Sequence, residues 1–252
     1  MDYPRLQIIG IAGIPEVHPG DDLASLILQA AQRQGTPLQD GDVVVVTQKI
    51  VSKAEGRLVY LASVEPSHFA LQIAQQWGKD PRQVEVVLRE SRRIVRMDHG
   101  VIICETHHGF ICANAGVDAS NIPGEGVVSL LPVDPDASAR CIREGIKALA
   151  GVTVAVVVSD TFGRPWREGT TNVAIGVAGI HPLMDYRGKK DPYGRELRVS
   201  IAAIADEVAG AADLVMNKTT QVPVAILRGL SYEPAPGSSR LLLRDPAQDM
   251  FR

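Results

Sequence analysis

The run Val152-Thr153-Val154-Ala155-Val156-Val157-Val158 constrains this chain more than any other stretch, because it is too apolar and β-branched to face water. A run of this length, closed by turn residues, reads as a fully buried strand. Directly after it stands Ser159-Asp160-Thr161-Phe162-Gly163-Arg164-Pro165-Trp166-Arg167, which gathers an acid, a hydroxyl, a glycine and two arginines. The expected geometry is a loop at the strand's C-terminal end, where α/β proteins place chemistry on a rigid scaffold. Asp160 and Thr161 form an oxygen pair suited to a hard cation such as Mg2+ or Mn2+. Arg164 and Arg167 suit phosphate or carboxylate. Taken alone, the same residues describe a strand and a surface turn with solvated arginines equally well.

A core around such a strand must be mostly aliphatic, since 45% of residues are hydrophobic but only 4% aromatic. The 252 residues allow one large domain or two small ones. A formal net charge of -3 argues against a nucleic-acid partner. No apolar run approaches the roughly 18–20 residues that span a bilayer, so no membrane partner is expected. Residues 1–10 lack a charged segment followed by an apolar one, so no secretory signal is expected. Cys104, Cys112 and Cys141 show no CxxC spacing, which reads as reduced thiols in a cytoplasmic protein.

Along the chain, residues 6–11 predict a strand ending at Gly13-Ile14-Pro15-Glu16, with a helix over 23–34 capped by Asp21 or Asp22. The glycine-containing loop before that helix could take phosphate on its N–H groups, or be a simple strand-turn-helix. Residues 42–46 predict a second buried strand, which Thr47-Gln48-Lys49-Ile50-Val51-Ser52-Lys53-Ala54-Glu55-Gly56-Arg57 extends directly. Its lysines could neutralise phosphate, or solubilise an edge strand. Helices follow, one running to Trp77 and capped by Ser67, the next over about 84–91 and opened by Asp80. Arg89, Arg92, Arg93 and Arg96 read as a solvated helix face.

Residues 100–106 and 109–113 predict a hairpin with His107 and His108 at its turn, an exposed pair or, less often in such settings, metal ligands. Beyond it, Asn114-Ala115-Gly116-Val117-Asp118-Ala119-Ser120-Asn121 lets a ligand approach the backbone closely. Asp118 and Asn121 make it a second cation and phosphate candidate, or an Asx-rich turn. A short strand over 127–131 precedes a helix over 139–150, capped by Asp136 or Ser138. The Asp134/Asp136 pair could hold a metal, but capping fits it better. Residues 172–180 predict a strand, 185–196 a long polar loop, 199–215 one helix and 223–227 a last strand.

Six ordered blocks carry a resemblance over nearly the whole chain. They are Gly13-Ile14-Pro15-Glu16, the stretch 47–57, the stretch 113–121, Leu131-Pro132-Val133-Asp134-Pro135-Asp136, the stretch 160–167, and Asp185-Tyr186-Arg187-Gly188. Together they resemble the family of coenzyme F420-0:L-glutamate ligases. The resemblance implies an amide-forming ligase dependent on GTP and a divalent metal, Mn2+ or Mg2+, with a monovalent cation as a further cofactor. Its substrates would be the deazaflavin precursor, L-glutamate and GTP. By the same resemblance Gly13, Ile14, Pro15, Glu16, Gln48, Lys53 and Asn121 would line the GTP site. Asp118 and Asp160 would hold one metal and Thr161 a second, with Asp160, Asp118 and Lys53 as the catalytic set.

The implied fold is α+β, two interleaved mixed α/β lobes in an intertwined homodimer, neither Rossmann nor ATP-grasp. One ligase unit would span 1–252, with interleaved sub-domains at about 1–62 plus 200–252 and at 63–199. The chain departs from the family where an acidic residue often precedes the last strand: Met216-Asn217-Lys218-Thr219-Thr220-Gln221-Val222-Pro223 has a lysine and no carboxylate. The residues by themselves also admit a metal-dependent nucleotide phosphohydrolase or a non-enzymatic metal or nucleotide binder.

Overall fold

The computed structural model describes residues 3–122 and 124–250; Met1 and Asp2 of the segment read for a signal, and both extremes of the expected 1–252 unit, lie outside the described residues. The fold is mixed α/β. β1 (Gln7–Ile11) precedes α1 (Leu23–Gln34), whose cap Asp22 accepts the Ala24 N–H and whose end is set by Gly35 at φ 79°.

β2 (Val43–Thr47) then passes without a break into α2 (Gln48–Ala54), followed by β3 (Leu58–Tyr60). This corrects the reading of 47–57 as a polar extension or an edge strand. Ile50, Val51 and Ala54 fall on one helical face, and β2 is an interior strand.

α3 (His68–Trp77) and α4 (Pro81–Arg89) carry the expected caps, Ser67 and Asp80. β4 (Ser91–Asp98), β5 (Val101–Thr106) and β6 (Ile111–Ala113) form a three-stranded sheet, so the expected hairpin has an additional neighbour. The arginines read as a helix face lie largely on that neighbour. Arg92 and Arg93 meet Glu105 across the strands, and Arg96 meets Asp98. Cross-strand pairing of opposite charges supports a strand that one-chain periodicity does not announce.

After β7 (Val127–Ser129), α5 (Pro135–Ala150) is capped by Asp134, which accepts the Ala137 N–H. Asp136, expected as cap, is instead buried inside the first turn, where it accepts the N–H groups of Val177 and Ser239.

β8 (Ala155–Arg164) and β9 (Arg167–Ala178) form one long antiparallel hairpin. Residues 159–164 are therefore strand, not loop, because β9 supplies a partner for the backbone well past the apolar run. The turn comes at Pro165 and Trp166, the latter at φ 58°. Pairing steps from Val158↔Gly176 to Ser159↔Ala174, leaving Ile175 as an extra residue in β9, a bulge. Beside it Gly176 is obligatory: a Cβ there would stand 2.2 Å from the Pro135 carbonyl oxygen. β10 (Met184–Asp185) and β11 (Ile201–Ala202) make a small ribbon around the polar loop. α6 (Ile204–Met216) begins later than the expected 199, and β12 (Val224–Arg228) closes the main sheet.

That sheet runs β1-β12-β2-β8-β9, with β2 and β8 parallel and the other pairs antiparallel. Alternate residues of β2 and β8 feed opposite cores, which is why both strands are uninterruptedly apolar. Val44, Val46, Val156 and Val158 pack under α1 and α5, while Val43, Val45 and Val157 pack under α6. A third core joins α3, α4 and β5 to Val128 and Leu130. No helix among the described residues is long and apolar enough to cross a membrane.

Candidate active site

Sheet order decides which loops meet. β2 and β8 run parallel, with Thr47 opposite Ser159, so α2 and Asp160 emerge side by side. β12 enters antiparallel beside β2 with Val224 opposite Val46, and β1 leaves it with Ile11 opposite Val224. Residues 12–16, the start of α2, Asp160 and the 217–223 loop thus share one edge of the sheet. Asp118 is brought to the same edge by a backbone bridge to Ser129 at the end of β7.

Two lysines of α2 bind two of the expected carboxylates. Lys49 Nζ donates to the Asp118 carboxylate, and Lys53 Nζ donates to Glu16 Oε1 at 2.6 Å. One helical turn separates the lysines, so both project from the same face. Asp118 is fixed further by Ser120, whose N–H and hydroxyl both donate to it at 2.7 Å. These donors and Lys49 hold its carboxyl below the ordinary value, against the burial that raises it.

Asp160 behaves in the opposite way. Burial pushes its carboxyl up to about 6, and Asp118 adds to the rise; the Thr161 N–H, Lys49 and Lys218 oppose it. A partly buried carboxylate that resists ionisation beside a second carboxylate is one whose charge an arriving cation would stabilise. Thr161 donates its hydroxyl proton to Asn172 Oδ1 at 2.7 Å, which leaves hydroxyl lone pairs for another partner.

Asp118 and Asp160 together suit a hard divalent cation, with the Lys49 ammonium already against Asp118, while Thr161, the next residue of β8, turns its hydroxyl to the other face of the strand. Among the described residues no three His, Cys, Asp or Glu side chains cluster as a complete metal site. Phosphate or water oxygens would have to complete the shell, as is usual for Mg2+.

Of the remaining expected residues, Gly13 turns the 12–16 loop at φ 73°, and α1 braces that loop through Gln34 and through Arg33, which donates to the Gly13 carbonyl. Ile14 packs partly buried against the α1–α5 core, and Pro15 is exposed between it and Glu16. Gln48 is buried, its amide donating to Ser52 Oγ and the Leu130 carbonyl, so it ties α2 to β7. Asn121 is exposed at φ 54°, three residues beyond Asp118.

Arg164 is not brought to Asp160. Its guanidinium closes the hairpin turn on the carbonyls of Glu168 and Gly169. His107 and His108 bond the carbonyls of Arg89 and Pro132 rather than a shared centre. Three contributors were not singled out from sequence: Lys218 beside Asp160, Ser120 under Asp118, and Asn172 opposite Thr161. Only Lys218 left a signal, as the lysine in a loop expected to be acidic.

Comparison with known proteins identifies the family. The family model described as F420-0:Gamma-glutamyl ligase matches residues 12–229. A coenzyme F420:L-glutamate ligase of Methanothermobacter thermautotrophicus is 46% identical over 250 residues, covering 98% of this chain and 99% of the relative. Its namesake in Methanopyrus kandleri is 47% identical over 254 residues, covering 99% and 98%, and that of Methanocaldococcus jannaschii is 41% identical over 251 residues, covering 98% and 97%. With this match over nearly its full length, the chain belongs to the F420-0:gamma-glutamyl ligase family.

Proposed function

We propose that this chain joins L-glutamate in amide linkage to the phospholactyl carboxylate of a deazaflavin coenzyme precursor, driven by GTP and assisted by Mn2+ or Mg2+. Family membership and the names of its relatives support the ligase and its acceptor. The observation that carries the phosphoryl-transfer reading is the meeting of Asp118 and Asp160 with Lys49 and Lys218 at one sheet edge, one helical turn from the Lys53–Glu16 pair.

A carboxylate is a poor electrophile. Transfer of the γ-phosphoryl group breaks the bond from Pγ to the β,γ-bridging oxygen and forms one to a carboxylate oxygen of the acceptor. The glutamate amine then attacks the acyl carbon, the bond to the phosphate oxygen breaks, and phosphate and a proton leave. The protein's part in such transfers is mostly positioning and charge neutralisation. Asp118 and Asp160 would hold one divalent cation and Thr161 a second; bound there, such cations would supply positive charge to the phosphate oxygens. Lys53, released from Glu16, would meet a terminal phosphate as a point charge. Residues 13–16 and Asn121 would border the nucleotide, with Gln48 keeping α2 in place behind them. Catalysis of this kind needs no proton transfer by either aspartate.

The test is a product assay with the unglutamylated deazaflavin, L-glutamate, GTP and Mn2+, following deazaflavin mass and phosphate together. A gain of one glutamyl residue matched by phosphate, dependent on glutamate and metal, is the expected result. Phosphate without product would make the protein a nucleotide hydrolase. Nucleotide binding without turnover would make it a binding protein.

A further inference from the structure

Apart from the charged sheet edge, the molecule has a cavity of about 270 Å3 between the 107–109 turn, the start of α5 and the C-terminal turn Ser239–Leu242. Its walls combine flat and apolar side chains with charged ones in about equal share. His108 stacks on Phe110 with ring centroids 5.5 Å apart and planes at 17°, and Val133 and Pro135 also line the cavity.

The polar groups around it divide sharply. Asp134 accepts the Ala137 N–H on one oxygen, and Asp136 accepts the N–H groups of Val177 and Ser239 and the Ser238 hydroxyl. Arg240 is exposed at the cavity, and among the described residues its guanidinium carries no ion pair. His108 Nε2 donates to the Pro132 carbonyl at 2.8 Å, and Nδ1, the acceptor nitrogen in that tautomer, is buried and unpartnered. Buried acceptors are nearly always satisfied, so an orphan beside a cavity is a place for a ligand's donor.

A ligand that answers all three features is a flat ring system with an N–H or O–H donor and an anionic edge. L-Glutamate is anionic but has no flat face. A purine has the face and the donors but no charge on the ring for Arg240. A deazaflavin ring has all three: a planar tricycle, an imide N–H and an acidic ring hydroxyl. The volume lies near the lower end of ligand pockets, roughly 300 Å3, and so suits a ring system better than a whole nucleotide.

Two aromatic rings connect the cavity to the strand that carries Asp160. Phe110 meets Phe162 edge to face with centroids 6.3 Å apart. Phe162 stands two residues along β8 from Asp160, about 7 Å of strand. A ribityl-phospholactyl chain is long enough to cross that gap.

We infer that this cavity receives the fused-ring end of the deazaflavin acceptor, with Arg240 and His108 reading its edge while the lactyl carboxylate extends to Asp118 and Asp160. The inference rests on the ligase reading above and adds to it the place where the acceptor docks.

The test uses the full chain and the deazaflavin riboside, the chromophore without its phospholactyl tail, titrated by fluorescence anisotropy. Val133→Trp fills the mouth from an exposed position, and Arg240→Ala removes the cation. The riboside should bind the parent protein in the presence of saturating GTP and Mn2+. Its affinity should fall about tenfold or more in each variant, on the scale of one lost anchoring contact. GTP affinity should stay unchanged, and in turnover the KM for the acceptor should rise with kcat nearly constant. Equal riboside binding in all three proteins, absence of riboside binding by a protein that does glutamylate, or displacement of the riboside by GTP would each overturn the inference and leave the ligase intact. Riboside binding lost in both variants of a protein that makes no glutamylated product would keep the cavity and overturn the ligase.

Discussion

The two ends of β2 carry ion pairs of opposite character. At the N-terminal end Asp42 is 1% exposed and gripped by a two-pronged Arg228, Nε at 2.9 Å and Nη2 at 2.8 Å, with the Gln39 N–H at 2.8 Å as a third donor. At the C-terminal end Lys49 and Lys53 each hold one carboxylate by a single ammonium, and the partners Asp118 and Glu16 have side chains 46% and 51% exposed. The planar fork fixes a carboxylate geometrically, whereas an ammonium on a flexible stem is a point charge that can change partners. One end locks the β12–β2 register. The other keeps positive charge available at an edge where negative substrates would arrive.

The strongest way to break this comparison is Asp160→Asn. Turnover should fall on the order of a thousandfold, the scale on which a preorganised electrostatic contact to a developing charge is lost. Melting temperature should not fall, because burial already disfavours the charge that is removed. Near-normal turnover would end the metal role of this residue.

Arg228→Met strips the partner from the buried Asp42 and should cost about 3 kcal/mol in urea unfolding, as breaking a buried pair does. Turnover per folded molecule should be kept; a parallel loss of turnover would mean that the two ends are not separate in function. Lys53→Met should weaken GTP binding by about 2 kcal/mol, the worth of a charge-assisted hydrogen bond, with little change in unfolding. Calorimetric titration reads the first and denaturation the second, and a purely structural lysine would reverse the pattern.

The smallest effect sharpens the picture between the ends. Asp206 accepts the Ala174 N–H, yet burial holds its carboxyl above the ordinary value. Its charged form weakens the fold, so the cost grows as pH rises through the raised value and vanishes where the carboxyl is protonated in both states. Asp206→Asn should therefore melt above the parent at pH 7, with the two curves converging on acidification. A gap independent of pH would show that titration of Asp206 plays no part.

Most of the architecture was legible because burial writes itself into periodicity. The 3.6-residue pattern of α1 and the caps Ser67 and Asp80 appear in the structure as read, Asp22 is the cap of the two candidates Asp21 and Asp22, and the apolar run ending at Val158 is strand from Ala155 onward. What escaped depended on partners distant in sequence. β8 continues past Val158 because β9 lies beside it, β4 is a strand because Glu105 faces its arginines, and α2 starts where no breaker residue marks the change. At the site, Glu16 with Lys53 and Asp118 near Asp160 were named from sequence, and the structure brings each pair together. Lys218 and Asn172 join them only through the order of β12 and the register of β9, which no local pattern encodes.

That register has a further consequence. Paired residues of an antiparallel hairpin face the same side, and Thr161 faces Asn172 only because Ile175 is counted once too often. Were Ile175 paired in the regular register of Val158↔Gly176, Val173 would stand opposite Thr161, and the hydroxyl would look onto a hydrocarbon. The bulge acts as a phase shift within a single strand. Nearer the core, β9 keeps time with the hydrophobic layers; beyond Ile175 it keeps time with the chemistry. One inserted residue lets a strand obey two alternations, so the demands of packing and of the site never compete for the same position.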